Sequence, residues 1–90
     1  MTTVKSVSLY SIDEYAPTCN FFIDERATKE DVDNAVDVVE ERETDNDDFN
    51  VADFFYEVAN ELIEKGFTVY LNANTFIGEF RIIENISAQY

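Results

Sequence analysis

The 90-residue sequence predicts an α+β domain of order β-β-α-α-β-β, an antiparallel sheet of about four strands with the helices packed on one face. Three observations carry this expectation. Apolar residues alternate with a period of two near both ends of the chain. The period changes to that of a helix in the middle. Capping and turn residues stand where the period changes. The length suits a single domain over residues 1–90, and 46% hydrophobic residues, with eight Phe and five Tyr, supply a core and argue against global disorder.

The first segment, "VKSVSLYSI", sets Val7 and Leu9 against Ser6, Ser8 and Tyr10 and predicts a strand over about Val4 to Ile12. "DEYAPT" is then a loop marked by Pro17, and "CNFFIDE", Cys19 to Glu25, is a second, mostly apolar strand pairing with the first. At Thr28 the period switches: Thr28-Lys29-Glu30-Asp31 is a capping box with Asp in place of the usual Glu or Gln. Val32, Ala35, Val36 and Val39 recur at i, i+3, i+4 and i+7 as the apolar stripe of a helix, which is expected to fray in the all-polar "ERETDNDD". A second helix begins near Asn50, with Asp53 three residues on. Its apolar face is Val51, Phe54, Phe55, Val58, Ala59, Leu62 and Ile63, and Gly66 stands where a left-handed C-terminal cap belongs. "FTVYLNA" and "FIGEFRIIENI" alternate again, the latter with Phe76, Gly78, Phe80 and Ile82 on one side. With "NANT" as their turn, they predict an antiparallel hairpin.

Charge is the sharpest feature. The net charge is −14, from 20 acids and 6 bases. From Asp24 to Glu64 there are 16 acids against Arg26, Lys29 and Arg42, a net of −13, so nearly all the excess lies in the middle of the chain. A surface of this sign opposes direct binding of nucleic acid or adhesion to anionic lipid. No apolar run is long enough for a membrane span, and "MTTVKSVSLY" lacks the pattern of a signal peptide. A single cysteine allows no internal disulfide, and the expected compartment is the reducing cytoplasm.

The sequence offers little to catalysis, and no enzyme is expected. There is no His to serve as base or metal ligand, Cys19 is expected to be a small core residue, and Gly66 and Gly78 form no phosphate loop. "DNDDFNVADFFY" places Asp45 and Asp47 at the first and third positions of a calcium loop. It then puts Phe49, Asn50 and Tyr56 where a ligand, a Gly and a bidentate Glu are required, so no metal or other cofactor is expected.

On a helical wheel at about 100° per residue, with Val32 at zero, Glu30, Asp33, Asp37, Glu40 and Glu41 fall between about 80° and 180° as one ridge. Asp53, Glu57, Glu61 and Glu64 form a second ridge off the apolar face of the second helix, and Asp45, Asp47 and Asp48 of "DNDD" lie between the two. Acids every fourth residue stand about 6 Å apart along the axis, sparser than the phosphates of one DNA strand at about 3.4 Å. These twelve residues are the candidate partner-binding set.

In its size, its acidic run 30–48 and its second ridge, the chain resembles the small acidic DNA-mimic inhibitors of phages and mobile elements. That class includes anti-CRISPR proteins, anti-restriction proteins and uracil-DNA glycosylase inhibitors. The resemblance implies an inhibitor in the host cytoplasm that occupies the basic site of a nucleic-acid-binding nuclease or defence effector. Three other readings stand beside it: an immunity protein that neutralises a basic nuclease toxin, a structural or assembly protein whose acidic face is only solvated, and a regulatory domain that binds a basic tail or a histone-like protein. As a free protein it would be a monomer or a dimer.

Overall fold

The computed structural model describes residues 2–10, 19–43, 54–72 and 78–90. Its elements are β1 (Thr2–Tyr10), β2 (Cys19–Asp24), α1 (Lys29–Glu43), α2 (Phe54–Glu64), β3 (Val69–Tyr70) and β4 (Phe80–Gln89). They form an α+β fold with one four-stranded sheet of order β3-β2-β1-β4.

β1 and β2 pair antiparallel, Lys5 opposite Ile23 and Val7 opposite Phe21. Directly opposed residues share a face, so Val7, Leu9, Phe21 and Ile23 point together and all are buried. They join Val32, Ala35, Val36 and Val39 of α1 and Phe54, Val58, Ala59 and Leu62 of α2 in one core. Each large side chain buried there contributes roughly 1.5–3 kcal/mol. α1 lies over β4, and α2 over β2 and β3.

The sheet is mixed rather than purely antiparallel. β3 pairs antiparallel with β2, while β4 pairs in parallel with β1, from Thr2 opposite Phe80 to Tyr10 opposite Gln89. The expected hairpin of the last two strands does not form; they sit at opposite edges of the sheet. The cause lies in which residues of β4 reach the core. Ile86 and Ala88, beside Val7 and Leu9, are the ones that do, whereas Ile82 shares the outer face with Val4. A register one residue away exchanges the two faces, and the deep partners for Ile86 and Ala88 are on β1.

The face away from the helices is lined differently. The rings of Phe22 and Phe80, from strands on either side of β1, meet at 5.9 Å, and Val4 between them is fully buried. Ser6 and Ser8 are buried too, and the Asn85 side-chain amide donates to their hydroxyls at 2.8 and 3.1 Å. A bulge between Val7 and Ser8 puts Cys19 opposite Ser8 rather than on the core face, so Cys19 is exposed and not the core residue its apolar neighbours suggest. Ile63, assigned to the apolar face of α2 from the sequence, is also exposed.

The helix boundaries follow local chemistry. The Thr28 N–H donates to Asp31 Oδ2 at 2.9 Å and the Asp31 N–H donates to Thr28 Oγ1 at 3.2 Å, a reciprocal cap that starts α1. α1 continues through Glu43, so Glu41, Arg42 and Glu43 belong to the helix and not to a frayed end. At the end of α2, the Phe67 N–H donates to the Leu62 carbonyl and the Gly66 N–H to the Ile63 carbonyl. With Gly66 at φ 98°, this is a Schellman cap. Asn50, Val51, Asp53 and most of "NANT" lie outside the described residues.

Candidate functional site

α1 presents three flanks. Its apolar stripe faces the sheet. Arg42, about 80° to one side of Val32, faces α2; the acidic ridge, about 80° to 180° to the other side, faces away from it. The ion pairs agree with this placement. The Arg42 guanidinium reaches Glu57 at 3.2 Å and Glu61 at 3.6 Å across the seam between the helices. On the other flank, Lys29 Nζ binds Asp33 at 3.1 Å and donates to the Ser87 carbonyl of β4 at 3.2 Å.

The two predicted ridges therefore lie on different flanks of the helix pair. Glu57 and Glu61 are half-buried in the seam, where Arg42 holds them. Glu64 is exposed beyond them. On α1, Glu30, Asp37 and Glu41 are exposed, and Asp33 and Glu40 are half-buried. Asp45, Asp47, Asp48 and Asp53 lie outside the described residues.

The disposition of the cations singles out the α1 row. Lys5 pairs with Glu84 at 3.3 Å and donates to the Ala27 carbonyl at 2.6 Å; Arg26 pairs with Asp24 at 3.1 Å. With Lys29 and Arg42 also engaged, Lys65 and Arg81 remain, the first just past α2 and the second on β4. Among the described residues no base forms an ion pair with Glu30, Asp37 or Glu41. Val38 is 39% exposed and lies beside this row on the wheel, an apolar contact within reach of whatever meets the acids.

Asp24 shows the contrasting case of an acid used by the fold. Burial tends to raise its carboxyl pKa, but hydrogen bonds from the Arg26 side chain and from the Thr68 and Arg26 N–H groups outweigh this and hold it below the ordinary value. It thereby ties the end of β2 to the approach to β3, with the Thr68 N–H at 2.7 Å.

Cys19 is exposed, but partial burial of its sulfur raises the thiol pKa against hydrogen bonds at Val7 and Phe21. A raised pKa works against the thiolate form that acts as nucleophile. Among the described residues no group of three or more His, Cys, Asp or Glu is placed to hold a metal ion, and no helix is long and apolar enough to cross a membrane. The Arg42 bridge was the part of the site hidden from sequence reasoning. Its sequence signal was a lone base on the flank of α1 opposite the acids.

No protein-family model, curated protein or solved structure matches the chain.

Proposed function

We propose that this chain is a non-enzymatic inhibitor, in the manner of an anti-CRISPR or anti-restriction DNA mimic, that lays the outer flank of α1 against the basic nucleic-acid site of a defence or DNA-processing protein. One observation carries the reading: Glu30, Asp37 and Glu41 stand exposed in a row with no ion pair among the described residues, while the fold directs Lys29 to Asp33 and Arg42 to α2. Asp37 and Glu41, about 6 Å apart along the helix, repel by roughly 0.7 kcal/mol before screening, so the row opposes folding slightly. A partner that supplies Arg and Lys turns that repulsion into charge-assisted hydrogen bonds.

The mechanism is electrostatic exclusion. Opposite fields steer the encounter and raise the association rate. Once docked, the carboxylates occupy positions that phosphates would take, and Val38 adds apolar contact beside them. Asp45, Asp47 and Asp48 follow α1 in the chain and extend the acidic run of the sequence.

The test is capture from a bacterial lysate on the native chain and on a Glu30→Gln, Asp37→Asn, Glu41→Gln variant, with elution by duplex DNA. The reading requires that nucleic-acid-binding proteins be retained by the native chain, released by DNA and lost from the variant. Retention of the same proteins by both chains, or release by salt but not by DNA, refutes it.

A further inference from the structure

We propose that two copies of this chain join through β4, pairing antiparallel about a twofold axis between Ile82 and Ile83 to form one continuous eight-stranded sheet. The proposal is independent of the acidic flank. It starts from the sheet order, which leaves β4 at an edge, and from the length of that edge, ten residues. Arg81 through Asn85 are all exposed, with Ile82 at 48% and Ile83 at 45%. A long edge with bare aliphatic side chains is what folded proteins ordinarily cover, shorten or charge.

Charge complementarity selects a second copy as the occupant. About an axis between Ile82 and Ile83, Arg81 of one copy falls opposite Glu84 of the other, twice by symmetry, and Ile82 opposite Ile83. Direct opposition requires that the paired side chains share a face. In a regular strand Arg81 and Glu84 would lie on opposite faces. The β4 irregularity removes that obstacle: Arg81 pairs with Thr3 and Glu84 with Lys5, alternate residues of β1, leaving Ile83 as the extra residue. Arg81 has no ion-pair partner among the described residues, and the Glu84 side chain remains 58% exposed despite its contact with Lys5. Within one copy these two charges have no joint use; across the axis they are complementary.

A chain of net charge −14 resists self-association, so the position of the axis matters. β4 itself carries Arg81 and Glu84 only, a neutral strand. α1 lies over its other half: Lys29, at the start of the helix, touches Ser87, and the far end of α1 meets α2, whose Phe54 stacks on Tyr90. At about 3.3 Å per residue, Ser87 and its symmetry mate stand roughly 30 Å apart. That exceeds three Debye lengths of about 8 Å at physiological salt, so the two acidic helices are largely screened from each other.

Sedimentation equilibrium between about 10 µM and 1 mM tests the proposal, a range suited to the small area of one strand pair. The native chain is expected to dimerise within it. Arg81→Glu and Glu84→Lys are each expected to weaken the dimer at least tenfold, since each places like charges opposite one another twice. An equimolar mixture of the two variants is expected to dimerise again. In the mixed pair the introduced carboxylate of one chain meets the introduced ammonium of the other, and the remaining native Arg81 meets the remaining native Glu84. Melting curves check that each variant is folded. If Glu84→Lys, next to Lys5, does not fold, Arg81→Glu alone decides, because Arg81 makes no ion pair with the described residues of its own chain. A native chain that stays monomeric, an Arg81→Glu dimer as tight as the native one, or a mixture of folded variants that fails to associate overturns the proposal.

Discussion

Replacing Arg42 with Gln tests how the two helices are held together. The side chain is 48% exposed and reaches Glu57 at 3.2 Å and Glu61 at 3.6 Å, so two screened ion pairs are lost. Each is worth about 0.2–1 kcal/mol at such exposure. Glu57 and Glu61, four apart on α2, then repel with no cation between them, a further few tenths of a kcal/mol. Arg42 also lies in the last turn of α1, where a cation favours the helix dipole by about 0.3–1 kcal/mol. The expected total is about 1–3 kcal/mol of lost stability, a considerable share for a domain of this size. Urea unfolding at low salt measures it, and at high salt the loss should fall by more than half. A double-mutant cycle separates the contributions. Placed in a Glu57→Gln, Glu61→Gln background, Arg42→Gln retains only the dipole loss. If it is as damaging there as in the native chain, the seam pairing contributes nothing and the account of α2's acids is wrong.

Three other outcomes follow from the same structure. Neutralising Asp37 and Glu41 together should raise stability by about 0.3–1 kcal/mol at low salt, since it removes their mutual repulsion and an acid from the last turn and breaks no ion pair among the described residues, whereas Glu30 stands in the first turn, where its charge favours the helix dipole; a less stable variant would show that these acids serve the fold. Asp24 has a lowered folded pKa, so its contribution is fully present above the ordinary value of 3.8 and is lost as pH falls through the folded value. The stability gap between the native chain and Asp24→Asn should accordingly shrink below that pH, and a gap that widens on acidification contradicts the assignment. Gly66 has φ 98° and nothing within 4 Å of an added Cβ, so Gly66→Ala should lose about 1 kcal/mol from backbone strain alone, with Gly66→Asn losing less. Equal stability of the alanine variant would mean that the cap relaxes.

The opposite signs expected for Arg42 and for the α1 row show why a count of acids is a poor guide to a site. Both helices carry acids at helical spacing, and the wheel makes the two ridges look alike. Only the packing of α1 against α2 separates them: it turns Arg42 toward Glu57 and Glu61 and leaves Asp37 and Glu41 on the far flank. Lys29 was legible as the i, i+4 partner of Asp33, because both lie on one helix. The Arg42 bridge joins two helices, and no spacing along one chain segment encodes it.

Sequence alone determined what short-range chemistry controls. The Thr28–Asp31 cap, the apolar stripe of α1, the Gly66 cap of α2 and the alternation in β1 each depend on residues within a turn or two of one another. Their backbone and side-chain requirements are set by local geometry, so the residue types that meet them can be read along the chain. Tertiary structure decided the rest: that β4 lies parallel to β1 at one edge while β3 lies at the other, that a bulge exposes Cys19, and that Arg42 ties down Glu57 and Glu61 while Glu30, Asp37 and Glu41 form no ion pair among the described residues. The β1–β4 pairing joins the two ends of the chain, and its register is selected by which residues of β4 can be buried beside Val7 and Leu9. That selection is a property of the assembled core, where burial and register are settled together.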